Sequence, residues 1–255
     1  MTIPEILTLV FTILLGLAVG SFLNVCIYRI PKHSFFSSQR SYCPKCNHEL
    51  TAKDNVPLFS YIFLGGKCRY CHEKISPIYP FVELLNLALW LGVFFTHKVS
   101  VITFFYYVVI STLIVRSFID LKTKEIPNGV HLIILLFALI SFGPIDNVSW
   151  QSQLIGSVVI SVPLFLIALI TGGIGGGDIK LFFVLGMLLG WKNIVVTFFI
   201  ACILAGIVGI GVLIVKKKNG RKIEMPFGPF IAIGTYVAML CGELIVDSYL
   251  ALFTF

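Results

Sequence analysis

The chain has 255 residues, of which 58% are hydrophobic and only 12% are charged, and its mean hydropathy is +0.98. These values exclude an ordinary water-soluble domain, in which roughly a quarter of the residues are charged. The net charge of +7 is compatible with nucleic-acid binding, but the basic clusters border apolar segments, so we expect membrane lipid as the partner and no nucleic acid.

Eight apolar segments recur along the chain, and most are long enough to cross a hydrocarbon core of about 30 Å at about 1.5 Å of rise per residue. They cover about residues 6–27, 78–95, 99–119, 130–142, 154–170, 181–189, 194–215 and 227–246. The flank of the first segment lacks Lys and Arg and contains Glu5, which predicts a retained span rather than a cleaved signal. We therefore expect an all-α polytopic membrane protein with about eight transmembrane helices.

The basic residues predict the orientation, because Lys and Arg favour cytoplasmic loops. Eight spans threaded from an external N-terminus place 17 of the 19 Lys and Arg residues on the cytoplasmic side, leaving only Lys98 and Lys192 outside. A seven-span arrangement would lose this separation. The charge pattern therefore favours eight spans.

The one long polar segment, about residues 31–77, contains two Cys-x-x-Cys pairs, Cys43 with Cys46 and Cys68 with Cys71. Two such pairs suit a tetrahedral thiolate zinc site, because each tight turn presents two sulfurs to one ion. Four protein ligands leave no open position for water or substrate, so the predicted zinc is structural. Two disulfides or four unliganded thiols are the alternatives, and the expected cytoplasmic location disfavours the disulfides.

Three of the acids in or beside the predicted spans are candidates for a function, because a charged side chain is costly there. Glu83 lies a few residues into the second span, and it either stays near the lipid headgroups or pairs with a cation of the substrate or the protein, which is our hypothesis. Asp120 closes the third span and Asp178 opens the sixth. The expected topology places both aspartates at the same cytoplasmic border.

Asp120 and Asp178 are candidates for the dyad of an aspartic peptidase. Two close carboxylates share one proton, so one can activate a water while the other protonates or hydrogen-bonds the scissile carbonyl. The glycine-rich run at 172–177 would let an extended substrate backbone approach closely. On spacing alone, a solvated loop acid and a flexible connector explain these residues equally well. A phosphate loop is weaker, because no Gly-Lys-Ser or Gly-Lys-Thr follows.

Three other classes of protein fit the sequence less well. A transporter predicts internal repeats and acids at mid-membrane depth, and the sequence has neither. A purely structural scaffold gives no reason for the Gly-x-Gly-Asp sequence at 175–178. A thiol peptidase needs a cysteine with a basic partner, whereas the paired cysteines suit zinc better.

Several short segments carry a resemblance that covers nearly the whole chain. They are Gly20-Ser21-Phe22-Leu23-Asn24-Val25, Tyr28-Arg29-Ile30-Pro31, both cysteine pairs, Asp54-Asn55-Val56-Pro57, Ser60-Tyr61, Ile75-Ser76, Tyr79-Pro80, Val82-Glu83-Leu84, Asp120 ahead of Ile126-Pro127, Gly175-Gly176-Gly177-Asp178-Ile179-Lys180 and Pro226-Phe227-Gly228-Pro229. Together they resemble the type 4 prepilin peptidases, which are leader peptidases and N-methyltransferases of bacterial pilus, competence and type II secretion systems.

The resemblance implies the activity and the site residues. Members cut type 4 prepilins or pseudopilins after a glycine, just before the apolar helix, and N-methylate the new terminus with S-adenosyl-L-methionine. Asp120 and Asp178 match the two catalytic aspartates, and Gly175, Gly177 and Asp178 match the Gly-x-Gly-Asp motif that the family shares with presenilin-like intramembrane peptidases. The residues expected to bind substrate or shape the loop are Gly175, Gly177, Lys180 and Glu83.

The resemblance also implies the division of the chain and its location. We expect a first transmembrane helix at 1–30, a cytoplasmic zinc-binding loop associated with methyl transfer at 31–77, and a seven-helix peptidase domain at 78–255. The expected location is the bacterial cytoplasmic membrane, with the N-terminus outside and the active site at the cytoplasmic face. The sequence has no strand-anchored glycine loop of a nucleotide-binding fold, so the methyl-donor site is not assigned to residues.

Overall fold

A computed structural model describes residues 3–32, 34, 40–123, 128–141, 148–216 and 225–252. Within these ranges the secondary structure is helical, apart from two isolated β-bridges. The helices are α1 (Ile3–Arg29), a 3-10 turn (Ala52–Asn55), α2 (Phe59–Phe63), α3 (Ile78–His97), α4 (Val101–Thr123), α5 (Asn128–Ile140), α6 (Trp150–Val159), α7 (Ser161–Thr171), α8 (Gly176–Lys216) and α9 (Gly228–Ala251). The expected all-α fold is confirmed, and the Ile126-Pro127 pair of the resemblance lies outside the described residues.

Six helical stretches of the described residues are long and apolar enough to cross a membrane. They are Ile3–Arg29, Ile78–His97, Val101–Thr123, Trp150–Thr171, Gly176–Ile214 and Gly228–Ala251. A seventh apolar helix, at Gly129–Ile140, is shorter. The chain is therefore a multi-pass membrane protein, and the count of long apolar stretches is six rather than the expected eight.

The long helix α8 is a hairpin of two helices rather than a straight rod. Gly190 interrupts it with φ 76° and ψ 171°, a conformation that glycine adopts without the steric penalty of a side chain. The rings of Phe182 and Phe198 lie 5.8 Å apart, whereas a straight helix would separate them by about 24 Å. The two expected segments 181–189 and 194–215 are therefore the two arms of this hairpin.

The chain divides into two compact units, Met1–Val99 and Ser100–Phe255. In the first unit, α1 packs on α3 through buried amides: Asn86 Nδ2 donates to the Gly16 carbonyl at 2.8 Å, and Asn24 Nδ2 donates to the Tyr79 carbonyl at 3.1 Å. Such bonds are expected between membrane helices, because hydrocarbon offers a polar group no other partner. The three-part division given above stays a prediction.

The second unit contains α4 to α9, and α4 is the most enclosed of its long apolar helices. The turn of the α8 hairpin packs against α6, and Gly156 and Gly186 meet at this crossing with their backbones in contact. A Cβ on Gly156 would lie 2.7 Å from the Gly190 carbonyl carbon and 2.8 Å from the Trp191 nitrogen. The close approach that glycine allows therefore holds α6 against the hairpin.

We predict that Gly156→Ala destabilises the second unit. The added methyl group meets rigid backbone, and overpacking of this kind costs about 1–3 kcal/mol. The measurement is the thermal unfolding midpoint of the purified protein in detergent, which we expect to fall by several degrees. Gly206→Ala is the matched control, because nothing lies within 4 Å of its Cβ position. Equal midpoints for the two variants would contradict the proposed contact.

Candidate active site and cysteine cluster

The two predicted aspartates are buried at helix ends of the second unit. Asp120 lies in the last turn of α4, is 5% exposed, and accepts the Gly228 N–H of α9 on Oδ2 at 2.9 Å. Asp178 lies in the first turn of α8 and is 9% exposed. Both side chains are therefore buried in helices. The alternative that they are solvated acids of a loop does not hold.

Arg116 lies between these two carboxylates. Its Nη2 donates to Asp178 Oδ1 at 2.5 Å, and the side chain is fully enclosed. A Cβ placed on Gly228 would lie 2.6 Å from Arg116 Nη1 and 2.5 Å from Asp120 Oδ2, so both atoms border the same small space. The structure therefore brings Asp120, Arg116 and Asp178 together, with Gly228 closing the cluster because no larger residue fits there.

The glycine-rich loop shapes the backbone around Asp178. The carbonyl of Gly175 accepts the Asp178 N–H at 3.0 Å, which begins helix α8. The carbonyl of Gly177 lies 2.9 Å from His131 Nε2, and His131 is a buried residue of α5. These contacts fix the loop against a second helix, so it is more than a flexible connector.

Lys180 is exposed. It lines a mainly apolar cavity of about 690 Å³ together with His131, Leu132, Phe165 and Phe183. The expected substrate-binding role of Lys180 stays a prediction, since this cavity holds no group that identifies a ligand.

Glu83 is buried in the first unit, in the first turns of α3. Its Oε2 accepts the Leu58 N–H at 2.8 Å, and Leu58 has a positive φ of 59°. The side chain therefore ties the polar segment to α3. Its position near the lipid headgroups and its pairing with a cation both stay hypotheses.

The two Cys-x-x-Cys pairs form two turns of the same design. Cys43 N–H donates to the His48 carbonyl at 3.0 Å, and Cys68 N–H donates to the Glu73 carbonyl at 2.8 Å. The residue after each second cysteine has a left-handed backbone, with φ 56° at Asn47 and 58° at His72. The polar segment thus contains a local structural repeat that presents two pairs of sulfurs.

All four cysteine sulfurs lie within 4.8 Å of one another, and Cys43 Sγ lies 3.8 Å from Cys71 Sγ. A tetrahedral ion with bonds of about 2.3 Å to sulfur separates its ligands by about 3.8 Å. The four sulfurs therefore fit a single metal ion, and all four cysteines are free thiols rather than disulfides. This is the arrangement that the spacing predicted.

Asp54 joins the polar segment to the second cysteine turn. Arg69 Nε donates to its Oδ1 at 2.7 Å, and Thr51 Oγ1 donates to its Oδ2 at 2.7 Å. Desolvation raises the pKa of Asp54, but the hydrogen bonds from Arg69, Thr51 and Tyr70 outweigh it and hold the pKa well below its usual range. Asp54 is therefore an anion at neutral pH and pairs with Arg69.

The first unit also contains a cavity of about 390 Å³ between its helices and the polar segment. Polar and aromatic side chains line it, among them Tyr28, Arg29, Asp54, Tyr61, Tyr79 and Glu83. Its volume falls in the range of small-molecule sites, about 300–1,000 Å³. It differs from the cavity beside Lys180 in holding several charged groups.

Comparison with known proteins assigns both units. Residues 14–97 match the Bacterial Peptidase A24 N-terminal domain, and residues 107–210 match the Type IV leader peptidase family. The chain is 35% identical over 238 residues to a prepilin leader peptidase/N-methyltransferase of Bacillus subtilis, covering 92% of this chain and 95% of the relative. The chain belongs to the type IV leader peptidase family.

Other relatives with the same name agree. The protein of Aeromonas salmonicida is 34% identical over 270 residues, covering 93% of this chain and 92% of the relative. The protein of Pseudomonas aeruginosa is 32% identical over 276 residues, covering 94% of this chain and 92% of the relative. No solved structure matches the chain significantly. The resemblance seen in the sequence is confirmed. The expected function, a prepilin leader peptidase with N-methyltransferase activity, is confirmed with it.

The leader peptidase match contains Arg116, Asp120, His131 and Asp178. Sequence reasoning missed the two basic residues of this group. Arg116 precedes Asp120 by four positions, which places both on one face of a helix, so the spacing itself was a usable signal. His131 contacts Gly177 through the fold, and nothing in its sequence neighbourhood indicates that contact.

Proposed function

We propose that the chain is a membrane aspartic endopeptidase that removes the basic leader of type 4 prepilins or pseudopilins after a glycine and N-methylates the new N-terminal residue. The proposed peptidase activity rests mainly on one observation: Asp120 and Asp178 both lie beside the buried guanidinium of Arg116. Family membership supports the substrate class, and the names of the relatives supply both activities.

The proposed cleavage uses the two aspartates as one unit. One carboxylate accepts a proton from a water whose oxygen attacks the carbonyl carbon of the glycine, while the other donates its proton to the carbonyl oxygen. The carbon–nitrogen bond then breaks as the leaving amine takes the proton that the first carboxylate accepted from water, and the hydroxyl of the tetrahedral intermediate returns its proton to the second carboxylate. Enclosure by apolar helices strengthens each of these electrostatic effects, because little water screens them.

We infer that the site lies at the cytoplasmic face of the bacterial inner membrane, with the N-terminus outside. The distribution of Lys and Arg supports this orientation, because it leaves only Lys98 and Lys192 on the opposite side. The C-terminal end of α4 and the N-terminal ends of α8 and α9 meet at the cluster, as antiparallel neighbours must.

We also propose that the chain crosses the membrane eight times. The 41 residues of α8 would extend about 60 Å as a straight helix, twice the hydrocarbon thickness, and the hairpin at Gly190 divides them into two spans. The shorter helix α5 supplies the remaining span. With eight crossings nearly all Lys and Arg residues lie on one side of the membrane, and with six crossings they would not.

We predict that Asp120→Asn and Asp178→Asn each abolish most cleavage of a membrane-embedded prepilin. Asparagine keeps the size of the side chain but cannot exchange a proton, so kcat should fall by about 10²–10⁴-fold, the usual share of acid–base catalysis. Glu243→Gln is the control, since Glu243 is exposed in the last part of α9. Full activity in either aspartate variant would overturn the peptidase assignment.

We propose that Cys43, Cys46, Cys68 and Cys71 bind one structural Zn²⁺. The sulfur geometry supports this, and a fully thiolate-ligated zinc has no open position for catalysis. The segment is too short for a large apolar core, so the metal would replace that core as the source of its stability.

We predict about one zinc per chain in the purified protein, and its loss when all four cysteines are changed to serine. The variant and the chelated protein should be cut faster within residues 40–77 in limited proteolysis, because the metal no longer joins the two turns. Cys202→Ser is the control, since this cysteine lies alone in α8. Unchanged zinc content and protease resistance in the quadruple variant would exclude the site.

We propose that the cavity of the first unit binds S-adenosyl-L-methionine, which supplies a methyl group on a sulfonium cation. Aromatic rings and carboxylates attract such a cation, and an arginine suits the carboxylate of the same molecule. The cavity offers Tyr28, Tyr61 and Tyr79 as rings, Glu83 and Asp54 as acids, and Arg29 as the base. The apolar cavity beside Lys180 lacks this combination.

We predict that Glu83→Gln lowers methyl transfer to a precleaved pilin peptide at least about 10²-fold, the lower end of what a general base contributes. The carboxylate faces a cavity in which the donor and the new ammonium group both carry positive charge. Binding of isotope-labelled methyl donor should weaken in parallel, with Glu243→Gln as control. Methyl transfer and prepilin cleavage falling equally would contradict the proposal, because Glu83 would then only tie Leu58 to α3.

A further inference from the structure

We propose that Arg116 is the positioning residue that gives the two aspartates different roles. It keeps Asp178 ionised as the base that activates water, and it leaves the shared proton on Asp120. This inference rests on the proposed peptidase function. It assigns a role to a residue that the Gly-x-Gly-Asp motif and the dyad do not include.

The asymmetry comes from the hydrogen-bond donors that each carboxylate meets. Asp178 Oδ1 accepts from the Arg116 guanidinium at 2.5 Å, whereas Asp120 Oδ2 accepts from the neutral backbone N–H of Gly228 at 2.9 Å. A charge-assisted bond stabilises an anion more than a bond from a neutral amide does. Asp178 is therefore the carboxylate that holds the negative charge before substrate is cleaved.

The charge balance requires one proton on the pair. One guanidinium with two ionised carboxylates would leave one uncompensated negative charge in an enclosed site, and burial of unpaired charge is strongly disfavoured. A single proton on Asp120 makes the cluster neutral. Arg116 therefore preserves the shared proton of the dyad and decides where it lies.

Arg116 also has N–H donors that the bond to Asp178 does not use. Its Nε and Nη1 have no hydrogen-bond partner among the described residues, although both atoms are buried, and such orphaned groups are rare in proteins. Nη1 borders the same space as Asp120 Oδ2, beside Gly228. The guanidinium thus has a donor for each carboxylate.

These donors match the movement of charge in the reaction. When water attacks the carbonyl carbon, its proton passes to Asp178 while Asp120 gives its own proton to the carbonyl oxygen. The negative charge therefore moves from Asp178 to Asp120, and the number of protons on the pair stays one. Because Arg116 borders both carboxylates, it compensates the charge before and after the transfer without moving across the site.

Few other titratable groups face Asp178. His131 contacts the neighbouring Gly177 carbonyl from α5, Lys180 is exposed two positions later on α8, and Asp120 approaches from α4. Helices α6 and α7 carry no titratable side chain, and those of α9 begin at Tyr236, two turns beyond Gly228. Arg116 is the one cation in direct contact with Asp178 among the described residues.

The test compares the pH profiles of kcat/KM for prepilin cleavage in the full-length protein and in the variants Arg116→Met and Arg116→Lys. Activity is lost at low pH when the base takes up a proton. Arg116→Met removes the charge-assisted hydrogen bond that favours the anionic carboxylate, so the acid limb of the activity profile should move upward by at least about one pH unit, with at least a tenfold lower kcat. Arg116→Lys should return the acid limb close to that of the native protein while kcat stays lower, because an ammonium lacks the fork that reaches both carboxylates.

Lys122→Met removes a nearby exposed positive charge from the same helix and is the matched control, with no expected shift. The thermal unfolding midpoint of each purified variant in detergent reports whether the second unit, which contains Arg116, is folded. An unshifted acid limb in Arg116→Met, or equal loss at every pH in both arginine variants, would assign Arg116 a purely structural role and overturn the proposal. Full activity of Asp178→Asn would instead remove the peptidase assignment beneath it, so the two failures are distinguishable.

Discussion

A guanidinium buried among apolar helices needs negative charge close to it, and this requirement organises the second unit. Arg116 lies in α4, the most enclosed long helix of that unit, where an unpaired cation would be strongly destabilising. Asp178 meets it from the first turn of α8. Asp120 and Gly228 join α4 to the first turn of α9 beside the same group. One electrostatic constraint therefore fixes three helix ends with respect to one another.

The dependence on small residues follows from this crowding. Gly228 leaves space for Asp120 Oδ2 and Arg116 Nη1, which a methyl group would fill. Gly190 lets α8 fold back, which places Phe182 of one arm against Phe198 of the other. Gly156 allows α6 to seat against the turn. Small residues in membrane helices permit such close backbone contact, so the site depends on glycines that carry no chemistry themselves.

Hydropathy predicted where most helices lie, because an apolar segment of span length has few alternatives to a helix in lipid. The gap between the segments 181–189 and 194–215 contains Gly190, at which the structure interrupts α8. The partners of the aspartates were harder to predict. Arg116 entered only the charge count, since a basic residue near a span end usually faces water, and its burial depends on Asp178, distant in the sequence. The contact between His131 and Gly177 likewise exists only once α5 packs on α8.

The cysteine cluster shows the opposite relation between sequence and structure. Each Cys-x-x-Cys turn is local, so the spacing alone predicted that it would present two sulfurs, whereas the left-handed residues Asn47 and His72 became known only from the structure. The four sulfurs converge as the spacing predicts. The cavity of the same unit was not predictable, because its lining comes from α1, the polar segment and α3 together.

The central claim is that Asp120 and Asp178 act as one catalytic unit. Residues that act together lose about as much activity singly as in combination, whereas independent contributions multiply. The direct test is single-turnover prepilin cleavage by the double variant Asp120→Asn with Asp178→Asn, beside the two single variants. The account predicts that the double variant is no slower than the slower single variant within about threefold. Losses that multiply in the double variant would contradict it.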